Sequence, residues 1–114
     1  MAFDIAVKRI YEPPAKADGQ RVLVDRIWPR GVRKENATLT LWLREIAPSD
    51  GLRKWFGHEP ERWAEFRKRY RAELDGNGEA VAQLRALLGN GKVTLLYSAH
   101  DEAHNNAVAL AEYL

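Results

Sequence analysis

The fold class is decided by the stretch Val22-Leu23-Val24-Asp25-Arg26-Ile27-Trp28, together with Val93-Thr94-Leu95-Leu96-Tyr97 near the end of the chain. Both are short, nearly continuous apolar runs rich in β-branched residues, a pattern typical of central strands covered on both faces. Pro29 ends the first run and keeps the residue before it extended. Two such strands separated by helical patterns predict an α/β fold with a small, mainly parallel sheet flanked by helices.

Working outward from these runs, the alternation between Phe3 and Tyr11 predicts a half-buried strand. A short helix is predicted over residues 39–46, with Asn36 or Thr38 as its cap. Further helices are predicted over residues 49–56, 60–75, 80–88 and 106–114, with Ser49 capping the first of them. The spacing Ser98-x-x-Asp101 matches a capping box and predicts that these residues open the last helix.

Length and composition indicate one globular domain over residues 1–114. The chain has 114 residues, 46% hydrophobic and 30% charged, which suits a single packed core and argues against disorder. It has no cysteine, so disulfides, thiolate metal sites and cysteine nucleophiles are excluded. No apolar run is long enough for a membrane span and the first residues lack a signal-peptide pattern, so a cytoplasmic location without membrane partners is expected.

The two strand ends carry the residues most suited to chemistry. In open α/β sheets, ligands bind beyond the carboxyl ends of the strands. One end continues as Asp25 to Gly31, and the other as Tyr97 to Asp101. Forked arginine donors in the first segment suit phosphate or carboxylate. We therefore expect one site between the two ends, with the guanidinium of Arg26 or Arg30 hydrogen-bonded to the turn after the second strand.

Each of these residues also has a structural interpretation. Asp25 and Arg26 can form an ion network under the sheet, and Trp28 can belong to the core instead of forming a wall of the site. Ser98 can be explained as a helix cap alone, without a role in ligand binding. What favours a ligand site is the convergence of several polar groups at two neighbouring strand ends, with Gly31 allowing close backbone approach.

Metal and cofactor motifs are weak or missing in the sequence. His100 and His104 are four residues apart, as in zinc helices, but Asp101 stands where that motif has Glu, and no third ligand is apparent. No glycine-rich phosphate loop of Rossmann or Walker spacing occurs. We therefore predict no metal and no cofactor.

Taken together, these motifs resemble the YeaO-like family, known as domain of unknown function 488. The matching segments are Arg21–Gly31, Ala47-Pro48-Ser49, Leu95–Ala99 and Asp101–Ala107, with His100 departing from the lysine that similar sequences carry. The resemblance implies a compact single-domain α/β fold and supplies no established activity. It supports one site at the strand ends.

The ligand-binding residues that result are predicted to be Asp25, Arg26, Trp28, Arg30, Gly31, Tyr97, Ser98, Asn105 and Asn106. His104 is the candidate general acid–base because histidine titrates near neutral pH, and His58 is a second candidate that equally suits a helix cap. The leading hypothesis is a pocket for a small anionic ligand, phosphorylated or nucleotide-like. Whether an enzymatic step follows binding stays open.

A binding module for nucleic acid or a regulatory partner is the alternative. It would use the basic surfaces of Arg30–Lys34 and Arg62–Arg71, the second of which interleaves arginines with aromatic residues. The aromatic residues of that segment fall on one helical stripe, which favours a place in the core. The formal net charge of +2 is too small to argue for nucleic acid by itself.

Overall fold

The computed structural model describes residues 3–114. Its four strands are β1 (Ile5–Arg9), β2 (Gln20–Leu23), β3 (Leu41–Trp42) and β4 (Val93–Tyr97). They form one sheet in the order β1-β4-β2-β3, and all three neighbouring pairs are parallel. The carboxyl ends of the strands therefore meet at one edge. The radius of gyration of 13.3 Å is that of one domain, since a 100-residue domain gives about 13 Å.

Helices cover both faces of this sheet. The α-helices in the described part of the chain are α1 (Lys34–Ala37), α2 (Asp50–Phe56), α3 (Trp63–Asp75), α4 (Gly78–Gly89) and α5 (Asn106–Tyr113). Short 3-10 turns lie at Lys16–Asp18, Arg44–Ile46 and Pro60–Arg62. The predicted α/β class with a parallel sheet is confirmed. Within residues 3–114, no helix has both the length and the apolar character that crossing a membrane requires.

Alternation along the central strands explains the two cores. Val22 and Leu95 are fully buried in the larger cluster, which α2 to α5 cover. Leu23 and Leu96, one position further along, belong to a smaller cluster that includes Ala37 of α1. Successive side chains of a strand point to opposite faces, so apolar side chains are needed at both of these neighbouring positions in β2 and in β4.

The predicted start of α2 is confirmed in detail. The Ser49 side chain accepts a hydrogen bond from the Leu52 N–H at 3.2 Å, and Gly57 ends the helix in the left-handed region with a φ of 55°. The Ser49 hydroxyl and N–H in turn donate to the Glu73 carboxylate of α3 at 2.6 and 2.9 Å. One glutamate thus fixes where α2 begins relative to α3.

The helix predicted over residues 39–46 is wrong. This segment forms β3 and a 3-10 turn, and the helix lies upstream as α1. The Thr40 N–H donates to the Arg21 carbonyl at 2.8 Å and the Leu43 N–H donates to the Leu23 carbonyl at 2.9 Å. Pairing with the edge of β2 therefore makes this short apolar segment a strand, although its sequence also suits a helix.

The predicted capping box is also wrong. Asn105 caps α5, because its side-chain oxygen accepts a hydrogen bond from the Val108 N–H at 3.0 Å. The Asp101 carboxylate instead accepts hydrogen bonds from the backbone N–H groups of Ala103 and His104 and organises a turn before the helix. This frees Ser98 for a contact across the sheet edge.

Candidate functional site

A cleft of about 540 Å³ opens beyond the carboxyl ends of β2 and β4. The segment after β2, the segment before α2, the end of α2 and the turn after β4 form its sides. Its lining residues are Tyr11, Asp25, Arg26, Ile27, Trp28, Pro29, Arg30, Ala47, Pro48, Arg53, Phe56, His58, Phe66, Ser98, Ala99, Asn105 and Asn106. The parallel pairing of two adjacent strands places the two predicted segments at one edge, as the sequence indicated.

Asp25 ties the two strand ends together. Its Oδ2 accepts hydrogen bonds from the Ser98 N–H at 3.0 Å and the Ser98 hydroxyl at 2.7 Å, and its Oδ1 accepts one from Asn106 Nδ2 at 3.1 Å. The same amide group of Asn106 donates to the Val24 carbonyl at 3.0 Å. Asp25, Ser98 and Asn106 together form what we call the polar floor of the cleft.

The polar floor holds a carboxylate whose pKa lies above its ordinary value. Burial raises the pKa of Asp25, and the hydrogen bonds from Ser98 and Asn106 and the nearby His58 offset this only in part. Neutral donors surround the carboxylate, and among residues 3–114 no arginine or lysine lies at ion-pair distance from it. The ion pair that the sequence allowed between Asp25 and a basic neighbour is not formed.

Arg26 lines the cleft, but its contacts differ from those predicted. Its Nε donates to the Pro48 carbonyl at 3.1 Å and its Nη2 to the Ala47 carbonyl at 3.0 Å, so the side chain fixes the wall before α2. In the part of the chain described, Nη1 has no protein acceptor. The expected contact of Arg26 or Arg30 with the turn after β4 is wrong.

Arg9 makes that contact instead. Its Nε donates to the Ala99 carbonyl at 2.8 Å and its Nη2 to the Ser98 carbonyl at 3.3 Å. Arg9 ends β1, which pairs with β4 on the side away from β2, and its Cα lies opposite that of Tyr97. The arginine of the other neighbouring strand is therefore closer to the turn than the arginines that follow β2.

Two further polar side chains, Arg53 and His58, line the cleft from the end of α2. Arg53 lies there as an exposed side chain, with only a 3.4 Å contact to the exposed Asp50. His58 follows Gly57 and has a φ of 59°. This left-handed conformation is energetically unfavourable for a residue with a Cβ. Arg53 was missed by the sequence analysis, because only the tertiary packing of α2 brings it to the strand ends.

The remaining wall of the cleft is apolar and partly exposed. Ile27 is 58% exposed, and Trp28 is half-buried with its ring edge against Trp42 at 5.3 Å between centroids. The Trp28 Nε1–H donates to the Val32 carbonyl at 2.7 Å. Trp28 thus packs against the smaller core and lines the cleft as well, so its two interpretations are compatible.

Comparison with known proteins adds the family. The model of the DUF488-N3i family, described as "Inactive DUF488-N3 subclade", matches residues 4–114. The chain belongs to this family. Its sequence is 42% identical to the uncharacterized protein YeaO of Escherichia coli over 112 residues, which cover 98% of this chain and 97% of YeaO. An uncharacterized protein of Mycobacterium tuberculosis is 44% identical over 110 residues, covering 96% of this chain and 92% of that protein. No solved structure matches the chain significantly.

Three of the predicted site residues of this DUF488-N3i chain lie away from the cleft lining. Tyr97 is buried at the end of β4, and burial raises the pKa of its hydroxyl. Gly31 has a φ of 79° and shapes the segment after β2 without lining the cleft. His104 donates through Nδ1–H to Asp101 Oδ2 at 2.9 Å, and its ring lies edge-on to Trp63.

The histidine pair does not assemble a metal site in residues 3–114. His104 pairs with Asp101, whereas the Nδ1 of His100 lies 3.5 Å from Arg9 Nη2. In that part of the chain no group of three histidine, aspartate or glutamate side chains is arranged to hold an ion. The polar groups of the cleft are therefore arginine, histidine, serine, asparagine and one carboxylate.

Proposed function

We propose that the cleft binds a small anionic ligand, phosphorylated or nucleotide-like, at the carboxyl ends of β2 and β4. One observation carries this proposal: Arg26, Arg30 and Arg53 line the cleft, and Asp25, the one carboxylate in the lining among residues 3–114, is held by Ser98 and Asn106. Within residues 3–114, neither Arg26 nor Arg30 has a carboxylate at ion-pair distance. The cleft therefore has an excess of positive charge.

The arginines suit such a ligand in different ways. Arg26 is half-buried and held by two backbone carbonyls, so its free Nη1 is oriented before a ligand arrives. Preorganised donors lose less conformational entropy on binding. Arg30 is exposed, and its backbone carbonyl accepts a hydrogen bond from the Tyr11 hydroxyl at 2.9 Å, whereas its guanidinium has no acceptor in the described residues 3–114. Guanidinium groups bind phosphate and carboxylate through paired N–H donors.

Binding without turnover is better supported than an enzymatic step. The description of the matching family calls the subclade inactive. His104, the candidate general acid–base, lies outside the cleft lining and is engaged by Asp101. A catalytic role for His104 stays a prediction, and His58, which lines the cleft, is the nearer imidazole.

The nucleic-acid or regulatory alternative draws less support from the contacts of α3. Arg67 pairs with Glu112 at 2.8 Å and Arg69 with Glu65 at 2.9 Å. Arg62 donates to the Trp55 carbonyl. These arginines are engaged within the protein, whereas phosphate binding along a strand requires several uncompensated cations.

A thermal-shift screen tests the proposal. Orthophosphate, sugar phosphates, nucleotides and small carboxylates are each added in excess, and the unfolding temperature is followed. We expect at least one anion to raise Tm, because a ligand that binds only the folded state stabilises it. Arg30→Ala is expected to lower the affinity for that anion about tenfold or more in a titration. The Tm without ligand is expected to stay unchanged, because Arg30 is exposed.

Arg71→Ala is the matched control, because Arg71 is an exposed arginine on α3, outside the cleft lining. It removes the same charge from the protein and is expected to leave the titration unchanged. If no anion raises Tm, or if Arg30→Ala and Arg71→Ala weaken binding equally, the cleft is not the anion site.

A further inference from the structure

We infer that the ligand of this cleft is a nucleoside monophosphate, with its phosphate on the arginines, its ribose on the polar floor and its base on the apolar wall. The inference rests on the proposed function and narrows its ligand class. The cleft presents three kinds of surface, and a ligand with three matching parts would use all of them.

The free hydrogen-bonding groups of the polar floor are acceptors. Asp25 Oδ2 already accepts two hydrogen bonds, but Oδ1 accepts only the one from Asn106. A carboxylate oxygen can accept two, so Oδ1 has room for a further donor. Both hydrogens of Asn106 Nδ2 are engaged, which leaves its side-chain oxygen as the free group. The floor therefore offers acceptors, and hydroxyl groups such as those of ribose are the complementary donors.

The apolar wall is exposed where it borders the arginines. Among residues 3–114, the exposed large hydrophobic side chains are Phe3, Val7, Tyr11 and Ile27. Tyr11, 45% exposed, and Ile27, 58% exposed, both line the cleft, beside Trp28. Nucleobases stack on aromatic and apolar side chains irrespective of their identity. A flat base laid on this wall would remove its exposed surface from water.

Smaller anions leave much of the cleft unused. Orthophosphate would meet only the cationic part, and a sugar phosphate only the cationic part and the floor. The volume of about 540 Å³ lies within the range of roughly 300–1,000 Å³ typical of pockets for organic ligands. The wall adjoins the floor in sequence, since Asp25, Ile27 and Trp28 belong to one segment.

Calorimetric titration of the full chain with a matched panel tests the inference. The panel is AMP, GMP, CMP and UMP against ribose 5-phosphate, adenosine and orthophosphate. We expect at least one monophosphate to bind about tenfold or more tightly than ribose 5-phosphate, because stacking of a base contributes on that order. Adenosine, which lacks the phosphate, is expected to bind more weakly than AMP.

The panel separates the failure of this inference from failure of the proposed function. If ribose 5-phosphate binds as tightly as every monophosphate, the base makes no contact and the inference is overturned, whereas anion binding stands. If no member of the panel binds, but another anion raises Tm, the nucleotide inference alone fails. If no anion of any kind binds, both proposals fail.

A pair of surface variants locates the base. Ile27→Ser is expected to lower the affinity for the preferred monophosphate about threefold or more, because it removes apolar area from the wall. The affinity for ribose 5-phosphate is expected to stay unchanged. Val7→Ser removes another exposed aliphatic side chain that lies outside the cleft lining, and is expected to change neither affinity. An unchanged monophosphate affinity in Ile27→Ser would overturn the inference.

The same chemistry occurs in a free nucleotide and at the 5′ end of a strand. A 5′-phosphorylated dinucleotide distinguishes these sources. If the dinucleotide binds as tightly as the monophosphate, the cleft accepts a strand end. If it binds about tenfold more weakly, the ligand is the free nucleotide, because a second nucleotide then adds an ordering cost without a matching contact. In either case the preference over ribose 5-phosphate must hold.

Discussion

Asp18 and Asp25 stand before and after the same strand, β2, and their surroundings differ in a way that separates stability from binding. Asp18 is buried and pairs with Lys8 at 3.0 Å and Arg21 at 2.5 Å. Asp25 has only neutral donors in hydrogen-bonding contact, and within residues 3–114 neither Arg26 nor Arg30 has a carboxylate at ion-pair distance. Charges that are matched inside the protein stabilise the fold, whereas unmatched charges around an open volume are available to a ligand.

The difference extends to the arginines. Arg21 is 3% exposed, and its guanidinium donates to Asp18 and to the carbonyls of Ala37 and Thr38. Arg26 donates to two carbonyls and has one nitrogen free, and Arg30 is exposed. The Arg21 guanidinium is thus a structural crosslink between β2 and α1, whereas the Arg30 guanidinium faces solvent.

The largest effect is expected from breaking the matched cluster. Arg21→Ala leaves the buried carboxylate of Asp18 with Lys8 and the Ala15 N–H as partners, and removes the Arg21 donors from the carbonyls of Ala37 and Thr38. Removing one partner of a buried ion pair costs about 3–5 kcal/mol, so we expect the free energy of unfolding in urea to fall by that amount. Arg30→Ala is the control from the other cluster, and is expected to change it by less than about 0.5 kcal/mol.

If Arg21→Ala and Arg30→Ala cost the same free energy of unfolding, the two clusters do not differ in the way described. A comparable loss in Arg30→Ala would mean that its guanidinium is engaged in the folded protein.

A smaller effect is expected from two glycines, Gly19 next to Asp18 and Gly31 in the segment that follows Asp25. A Cβ on Gly19, whose φ is 65°, would lie 2.7 Å from the Lys92 carbonyl oxygen. Gly19→Ala therefore adds a clash to backbone strain and is expected to cost about 2–4 kcal/mol. Gly31, with a φ of 79°, has open space around it, so Gly31→Ala is expected to cost about 1–2 kcal/mol from strain alone. Urea denaturation of both variants measures the difference, and equal losses would show that the Lys92 carbonyl moves aside.

A third prediction concerns Arg9, which supports the cleft without lining it. Arg9→Ala removes two charged hydrogen bonds to the turn after β4, and is expected to cost about 1–2 kcal/mol of unfolding free energy. Because Ser98 and Ala99 line the cleft, anion affinity is expected to fall along with stability. Arg71→Ala is again the control for loss of charge. Loss of affinity at unchanged stability would instead place Arg9 in contact with the ligand.

The sequence predicted the strands and caps whose causes are local. The strand Val93–Tyr97, the Ser49 cap and the Gly57 stop depend on neighbouring residues, and the structure has them. The strand predicted over residues 22–28 is confirmed only at Val22 and Leu23, because β2 spans Gln20–Leu23 and the chain leaves the sheet before Asp25. The segment over residues 39–46 was assigned wrongly because its pairing with β2 is non-local. The same distinction explains the site: the meeting of Asp25 and Ser98 follows from parallel strands, which the pattern indicated.

Which arginine meets the turn depends on which strand borders β4 on its other side, and the pattern of one strand does not contain that order. Arg53 and His58 reach the cleft only because α2 packs over the strand ends. The sequence signal of Arg53, an arginine within a short helix, is indistinguishable from that of a solvated residue. His58 is a candidate from the sequence only because histidine titrates near neutral pH, and its position there equally suits a helix cap.

The smallest effect, and the most direct test of the comparison, is the pH dependence of stability. Burial alone would raise the pKa of Asp18, but hydrogen bonds from the Ala15 N–H, Lys8 and Arg21 hold it below its ordinary value. Burial raises the pKa of Asp25 above that value. The two carboxyl groups should therefore respond to acid in opposite directions.

The sign of each contribution follows from which state binds the proton more tightly. Folded Asp18 binds it less tightly than the unfolded chain, so its stabilisation is present above the ordinary pKa of about 3.9 and is lost as the pH falls through the lowered value. Folded Asp25 binds it more tightly, so its contribution grows as the pH falls from above the raised pKa towards about 3.9.

The experiment is urea denaturation of the native protein, Asp18→Asn and Asp25→Asn between about pH 3 and 7. The difference in unfolding free energy between the native protein and each variant isolates the contribution of that carboxyl group. The advantage of native over Asp18→Asn is expected to shrink in acid, and that over Asp25→Asn to grow. Two slopes of the same sign would mean that Ser98 and Asn106 hold the Asp25 carboxylate as firmly as Lys8 and Arg21 hold that of Asp18, and the distinction between the two ends of β2 would fail.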